Sequence, residues 1–249
     1  MTLKLSNIHF VLLAAGESTR FKARENKLLS KIKDKTILEH NIEQLKKIGF
    51  KKITLVIRNN SILNNISSTK LELIKGGKTR TLSVKNALLK SKIKAKYVFI
   101  HDAARILNSD KLLKKLINET FKKKHDCIIP FSKCNDTVIK NHKNIIREEL
   151  KLIKTPQVFL KNKITFLYKN NRDYQLTDDS ILMRNNPKEY KIKYVLDNGL
   201  NFKVTYKEDL ENLSVSYKKK QRVGLGYDIH KIQKIDKLNY INLGGIKIK

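Results

Sequence analysis

Apolar and polar positions alternate along this chain in two patterns. Short, largely apolar runs occur at Ile8–Ala14, Ile53–Ile57, Leu71–Ile74, Tyr97–Ile100 and Cys127–Phe131 and read as strands, the Ile8 and Tyr97 runs as buried ones. Between the first two, Ile37, Leu38, Ile42, Leu45 and Ile48 recur at helical spacing until Gly49 stops the helix. Val84, Ala87 and Leu88 carry the same spacing, and so do Leu112, Leu113 and Leu116, there with Ser109 as the capping residue. Thr205 and Glu208 form a capping box that opens a last helix through Leu210 and Leu213. Strand and helix in alternation predict an α/β fold, a mainly parallel twisted sheet covered by helices on both faces. Residues 132–158 fit less well: short β-like pieces, charge and a turn at Asn141-His142 make an irregular excursion.

The ends of the apolar runs carry the chemistry. The first breaks into Ala14, Ala15 and Gly16, then reaches Arg20 and, seven positions on, Lys27. Small residues let backbone N–H groups approach a phosphate chain, and two cations beside them can neutralise charge on transferring phosphates. An ordinary strand-to-loop turn would look the same, and the segment is neither a Walker A loop nor a Rossmann fingerprint. Lys75 to Val84 puts Gly76, Gly77, Arg80 and Ser83 just ahead of a helical pattern, and backbone donors at a helix start suit anions or base edges. Tyr97 to Arg105 is a strand ending in Asp102, at the place where α/β sheets hold ligands. That carboxylate suits Mg²⁺ beside nucleotide phosphates, or the capping of the next turn.

In this order the segments resemble the methylerythritol phosphate cytidylyltransferases of the non-mevalonate isoprenoid pathway. The family pattern is a small-residue loop with Arg and a downstream Lys, then Gly-Gly-x-x-Arg-x-x-Ser-Val and His-Asp-Ala-Ala-Arg. The chain continues it with Asp136-Thr137, Thr155-Pro156-Gln157, Thr177-Asp178-Asp179 and Asn201-x-Lys203-x-Thr205. Two positions depart from it. Ser18 stands where a second loop glycine is usual, and Asn26 precedes Lys27 where proline is usual.

The resemblance covers about residues 8–215 and implies a Rossmann-like nucleotidyltransferase fold with a protruding dimerisation arm. The implied reaction joins CTP to 2-C-methyl-D-erythritol 4-phosphate. Arg20, Lys27 and Lys203 would be the catalytic cations. Ala14, Ala15, Gly16, Gly77, Ser83, Asp102, Ala103 and Arg105 would bind the nucleotide, with Mg²⁺ on Asp102. Thr137 and Arg147, from a partner's arm (about residues 132–158), and Thr155 and Thr177 would line the second substrate's site in a homodimer. A cytidylyltransferase for another alcohol phosphate, such as ribitol phosphate, shares most nucleotide motifs.

Length and charge change this picture little. The 249 residues hold one large α/β domain and a small remainder. The net charge of +31 raises a third reading, a basic nucleic-acid-binding protein without catalysis. The lysines, however, are spread along the chain with no basic arm of interleaved aromatics, as low-GC coding bias would also leave them, so no specific nucleic acid is expected. Cys127 and Cys134 lack metal or disulfide-framework spacing and suit free thiols in the cytoplasm. No apolar run approaches a membrane span, and a strand beginning by residue 8 leaves no room for a signal peptide.

Past residue 216 a polar linker, 217–221, leads to Arg222–His230 and Ile241–Ile248. This stretch resembles the opening hairpin of the methylerythritol cyclodiphosphate synthases, which are found fused behind such transferases. In that family Asp228 and His230 would be two zinc ligands. About three protein ligands make a catalytic zinc site, so residues 222–249 are expected to be an incomplete, truncated second domain without cyclase activity.

Overall fold

The computed structural model describes residues 5–17, 21, 26–63, 71–107, 110–197, 201–216, 227, 241–243 and 246–248. The first strand, β1 (Ile8–Ala14), is buried along its whole length and sorts its side chains between two layers. Phe10, Leu12 and Ala14 enter one core cluster, while Val11 and Leu13 enter the other. A strand with two apolar faces belongs inside a covered sheet.

A small hairpin, β2 (Lys31–Ile32) and β3 (Lys35–Thr36), leads into α1 (Ile37–Ile48). Thr36 and Glu39 close a capping box at its start, and Gly49, at φ 102°, ends it in the left-handed conformation that glycine adopts freely. Next come β4 (Ile53–Ile57), β5 (Glu72–Lys75), α2 (Arg80–Lys90), β6 (Tyr97–Asp102), α3 (Asp110–Phe121) and β7 (Cys127–Lys133). The excursion holds β8 (Val138–Lys140) and β9 (Lys143–Ile145). It returns through β10 (Lys151–Ile153) and β11 (Gln157–Leu160). The unit closes with α4 (Lys161–Asn170), α5 (Ile181–Arg184), β12 (Ile192–Leu196) and α6 (Glu208–Ser216).

The main sheet runs β10-β7-β11-β6-β1-β4-β5, with β12 pairing β7. It is mixed and mostly parallel. β1 pairs in parallel with β4 and β6, as do β4 with β5 and β7 with β12, whereas β11 and β10 run antiparallel to their neighbours. Helices α1, α3 and α6 cover one face through Leu45, Leu116 and Leu213; α2, α4 and α5 cover the other through Val84, Tyr168 and Met183. From β1 the chain goes to β4 on one side and later returns to β6 on the other. The strand order therefore switches between β1 and β6, and their C-terminal ends, Leu13 beside Asp102, open the crevice where such sheets bind ligands.

Three expectations need correction. The excursion is shorter than 132–158: β7 continues to Lys133, and Lys151–Ile153 already pairs back with it. What stands clear of the sheet is the β8–β9 hairpin, whose turn residues Asn141 and His142 both have positive φ, and the 3-10 turn at Arg147–Glu149. The last helix is held by Asp209, not by Thr205 with Glu208. The Asp209 carboxylate accepts the N–H groups of Thr205 and Tyr206 at 2.7 and 2.8 Å. Arg80 and Ser83 lie inside α2, whose cap is Thr79. Residues 218–249 form a second compact unit, in which β13 (Ile241–Leu243) pairs antiparallel with β14 (Ile246–Ile248). Among the described residues no helix is long and apolar enough to cross a membrane.

One buried group at the far end of β1 makes stability pH-dependent. His9 bonds Thr54 Oγ1 at 2.6 Å, and Thr54 donates to Glu72 at 2.9 Å. Burial, only partly opposed by Glu72, pulls the His9 pKa from 6.5 to about 4. Between those values the unfolded chain binds the extra proton, so stability falls as pH falls from 6.5 towards 4. At pH 4.5 this single group is expected to remove about 2 kcal/mol relative to pH 7. Urea unfolding at both values should show a smaller acid loss in His9→Gln than in the parent chain.

Candidate functional site

Three loops meet at the crevice. After β1 come Ala15, Gly16 and Glu17; after β5 come Gly76 and Gly77; after β6 come Ala103 and Ala104. Of these, Ala15, Gly16, Glu17, Gly77 and Ala104 border a cavity of about 390 Å³ together with Lys27, Arg58, Ser83, Asp102 and Lys203.

The glycine pair is required by packing. A Cβ on Gly76 would lie 2.4 Å from the Ala15 side chain, and one on Gly77 would lie 2.3 Å from Cβ of Leu82. Gly76 N–H extends the sheet ladder to Ile57 O at 2.7 Å. Ser83, one turn into α2, accepts Gly77 N–H at 3.1 Å and donates to Thr79 O at 2.9 Å, which fixes the loop against its helix.

Lys27 opens a 3-10 turn at the cavity edge. Leu28, 3 % exposed, anchors the turn in the core. Asn26 caps it by accepting Leu28 N–H at 3.0 Å, so a hydrogen bond does here what a proline ring would do by restricting φ. On the rim Arg58 is paired with Glu17.

The floor is an ion cluster centred on Arg80. Its Nε donates to Asp102 Oδ1 at 3.0 Å, and its two terminal nitrogens grip Asp179 at 2.9 and 2.8 Å. Lys203 Nζ holds Asp102 Oδ2 at 3.0 Å. Asp179 is fully buried and also accepts the Tyr168 hydroxyl. Burial alone would raise the Asp102 pKa, but Arg80 and then Lys203 hold it well below the usual carboxylate range. Burial and the Asp179 charge push the Tyr168 phenol far up, so it serves as a donor.

Behind the cluster, His101 Nε2 meets Arg105 O at 2.9 Å, which makes it the protonated nitrogen and leaves Nδ1 to accept from Thr155 Oγ1 at 2.9 Å. The Thr155 oxygen in turn accepts Asp102 N–H at 3.2 Å. Burial holds the His101 pKa at about 4, in keeping with a neutral ring. Arg105 and Lys203 form an isolated antiparallel bridge that seats Lys203 beside the turn following β6.

Of the residues expected at the site, Ala15, Gly16, Lys27, Gly77, Ser83, Asp102 and Lys203 border one cavity. Ala14 and Ala103 are core residues, 2 % and 0 % exposed, and the Ala103 amide and carbonyl are taken by Leu13 O and Asn41. Thr155 is buried with its hydroxyl spent on His101 and Asp102, so it supports the site and does not face a ligand. Thr177 is exposed beside the Asp178–Asp179 pair, and Thr137 and Arg147 are exposed on the excursion, away from the cavity lining. Arg20, Asp228 and His230 lie outside the described residues. Arg80 and Asp179 were missed as site residues. Both stand inside the quoted motifs, but nothing in sequence spacing shows that they pair across 99 positions.

No group of three or more His, Cys, Asp or Glu comes together among the described residues. The partly buried Asp102 carboxylate, on a cavity lined also by Lys27, Arg58, Arg80 and Lys203, fits Mg²⁺, which commonly takes one or two carboxylates and draws its other ligands from substrate phosphates and water.

Residues 8–216 match the family described as IspD, 2-C-methyl-D-erythritol 4-phosphate cytidylyltransferase. A Pelagibacter ubique protein named bifunctional enzyme IspD/IspF is 38% identical over 250 residues, which cover 97% of this chain and 64% of that one. Its namesake from Campylobacter hominis is 34% identical over 248 residues, covering 98% of this chain and 64% of that one. The chain thus spans about two thirds or less of the length of these curated relatives. Among solved structures, bifunctional IspDF from Campylobacter jejuni superposes with a TM-score of 0.72 at 31% identity, covering 82% of this chain and 53% of that one. The 4-diphosphocytidyl-2C-methyl-D-erythritol synthase of Anaerococcus prevotii gives 0.71 at 26%, covering 85% and 98%.

Proposed function

The chain belongs to the 2-C-methyl-D-erythritol 4-phosphate cytidylyltransferase family, and from that premise we propose that it transfers a cytidylyl group from CTP to 2-C-methyl-D-erythritol 4-phosphate. The observation that carries this reading is the meeting of the Ala15-Gly16 loop, Lys27, Gly77, Ser83, Asp102 and Lys203 around one cavity at the switch point of the sheet.

A phosphate oxygen of the alcohol phosphate attacks the α-phosphorus of CTP in line. The new P–O bond forms as the bond to the β-phosphate breaks, and pyrophosphate leaves with its electron pair. No covalent enzyme intermediate is needed, so catalysis is positioning and charge neutralisation. The Ala15 and Gly16 amides and the Lys27 ammonium face the triphosphate, and the family resemblance adds the charge of Arg20. Gly77 leaves room for the cytidine, and the Gly77 carbonyl and Ser83 read the base and its ribose. Lys203 moves from Asp102 to a phosphate oxygen. Mg²⁺ on Asp102, when bound, supplies further neutralisation of phosphate charge. Thr177, with Thr137 and Arg147 from a partner's arm, orients the alcohol phosphate in a homodimer. Cys127 and Cys134 are free thiols, as suits an enzyme of the cytoplasm.

The direct test supplies CTP, Mg²⁺ and the alcohol phosphate and follows the CDP-alcohol and pyrophosphate. Preference for ribitol phosphate would change the substrate assignment. Salt-dependent RNA or DNA binding without CTP turnover would replace the function altogether. Because residues 218–249 are a separate compact unit, a chain ending at Ser216 should keep CTP turnover within about twofold of the full chain. Collapse of turnover on that deletion, or stoichiometric zinc with cyclodiphosphate formation in the full chain, would overturn the reading of the tail.

A further inference from the structure

We propose that Arg80 is a positioning residue for the transfer reaction: it clamps Asp102 through Oδ1 and leaves Oδ2 as the oxygen presented to the substrates and their cation. The inference rests on the function proposed above and deepens it.

The two cations that touch Asp102 are built differently. Arg80 is fixed on its other side by the two-pronged pair with Asp179, and Asp179 is fixed by full burial and by Tyr168. A guanidinium held fork to fork cannot rotate without breaking both bonds, so its remaining Nε–H points at Asp102 Oδ1 permanently. Lys203 holds Oδ2 through one ammonium on a flexible stem, and its side chain is 36% exposed against 24% for Arg80. A point charge of that kind can leave for a phosphate, whereas Arg80 cannot follow. The Asp102 backbone is fixed as well, since its N–H donates to Thr155. Main chain and one carboxylate oxygen are therefore immobile, while the second oxygen is held by the Lys203 ammonium alone, and both residues border the cavity. Arg80 also ties the start of α2, with its glycine loop, to the Thr177–Asp179 segment, so both substrate halves are referred to one rigid group.

Lysine cannot reproduce this, because one ammonium cannot serve both carboxylates with fork geometry. Removing Arg80 alone would leave Asp179 buried without its cation and is expected to impair folding. The double variant Arg80→Met/Asp179→Asn removes both charges of the buried pair and keeps Asp102 with Lys203.

The experiment uses the full chain. Wild-type turnover is measured first; its absence would count against the proposed function and not against the clamp, whose second readout is Mn²⁺ binding in the presence of CTP, followed by the EPR signal of free Mn²⁺. In the double variant and in Arg80→Lys, Mn²⁺ affinity should fall by about tenfold or more and kcat by about a hundredfold, with the melting temperature of the double variant within a few degrees of wild type. If the double variant does not fold, Arg80→Lys decides alone. A folded variant with unchanged Mn²⁺ affinity overturns the clamp, whether or not its kcat has fallen.

Discussion

Lys27→Ala should lower kcat by about a hundredfold or more and leave KM for CTP within a few-fold of the parent. Asn26 caps the turn, Leu28 pins it into the core, and Lys27 is left at the cavity edge with its backbone fixed. A preorganised cation gives most where charge develops. In the proposed in-line attack that charge develops on the oxygens around the α-phosphorus and on the departing pyrophosphate. A cation that served only to hold the ground-state triphosphate would act on KM instead. Steady-state kinetics separate the two cases, and an unchanged kcat with raised KM would remove Lys27 from the chemical step. Asn26→Ala should reproduce a small part of the loss, because the turn would lose its cap but not its lysine. By the family resemblance, Arg20→Ala should behave as Lys27→Ala does.

How far this was legible in the sequence depends on the range of each interaction. β1 and α1 were readable because their patterns are local: seven buried positions in a row, and apolar residues at helical spacing ending in Gly49. The Asn141-His142 turn was readable because asparagine tolerates positive φ in a two-residue hairpin. The last helix was misread because Glu208 and Asp209 are equally good acidic candidates one position apart, and only the backbone path decides which reaches Thr205. The antiparallel return of β10 and β11 was hidden, since a strand's pairing direction leaves no mark in its own composition. Arg80 is one of 54 basic residues, and charge alone could not single it out. Its role comes from Asp102 and Asp179, which the fold brings to it from distant positions.

The second large effect concerns residues that do not line the cavity of their own chain. Arg147 and Thr137 stand on the excursion, exposed. Arg147 is held by Glu148 and by the carbonyl of Asn135, at 3.1 and 3.0 Å. Ile139 and Ile146 on the same feature are 65% and 61% exposed, apolar surface that the partner would cover in the homodimer proposed above. If these residues serve the alcohol phosphate, each arm must reach into the other protomer's site. Arg147→Ala and Lys27→Ala homodimers should then both be nearly inactive, because every site in them lacks one residue. In a heterodimer of the two, one site receives an intact Lys27 from its own chain and an intact Arg147 from the other. Subunit exchange at equal concentrations should therefore restore about a quarter of wild-type activity, half the dimers being mixed with one working site in two. The recovery should rise with exchange time and be absent when each variant is measured alone. A monomer in light scattering, or verified heterodimers with no recovery, would confine the active site to a single chain and leave Arg147 as a solvated surface charge.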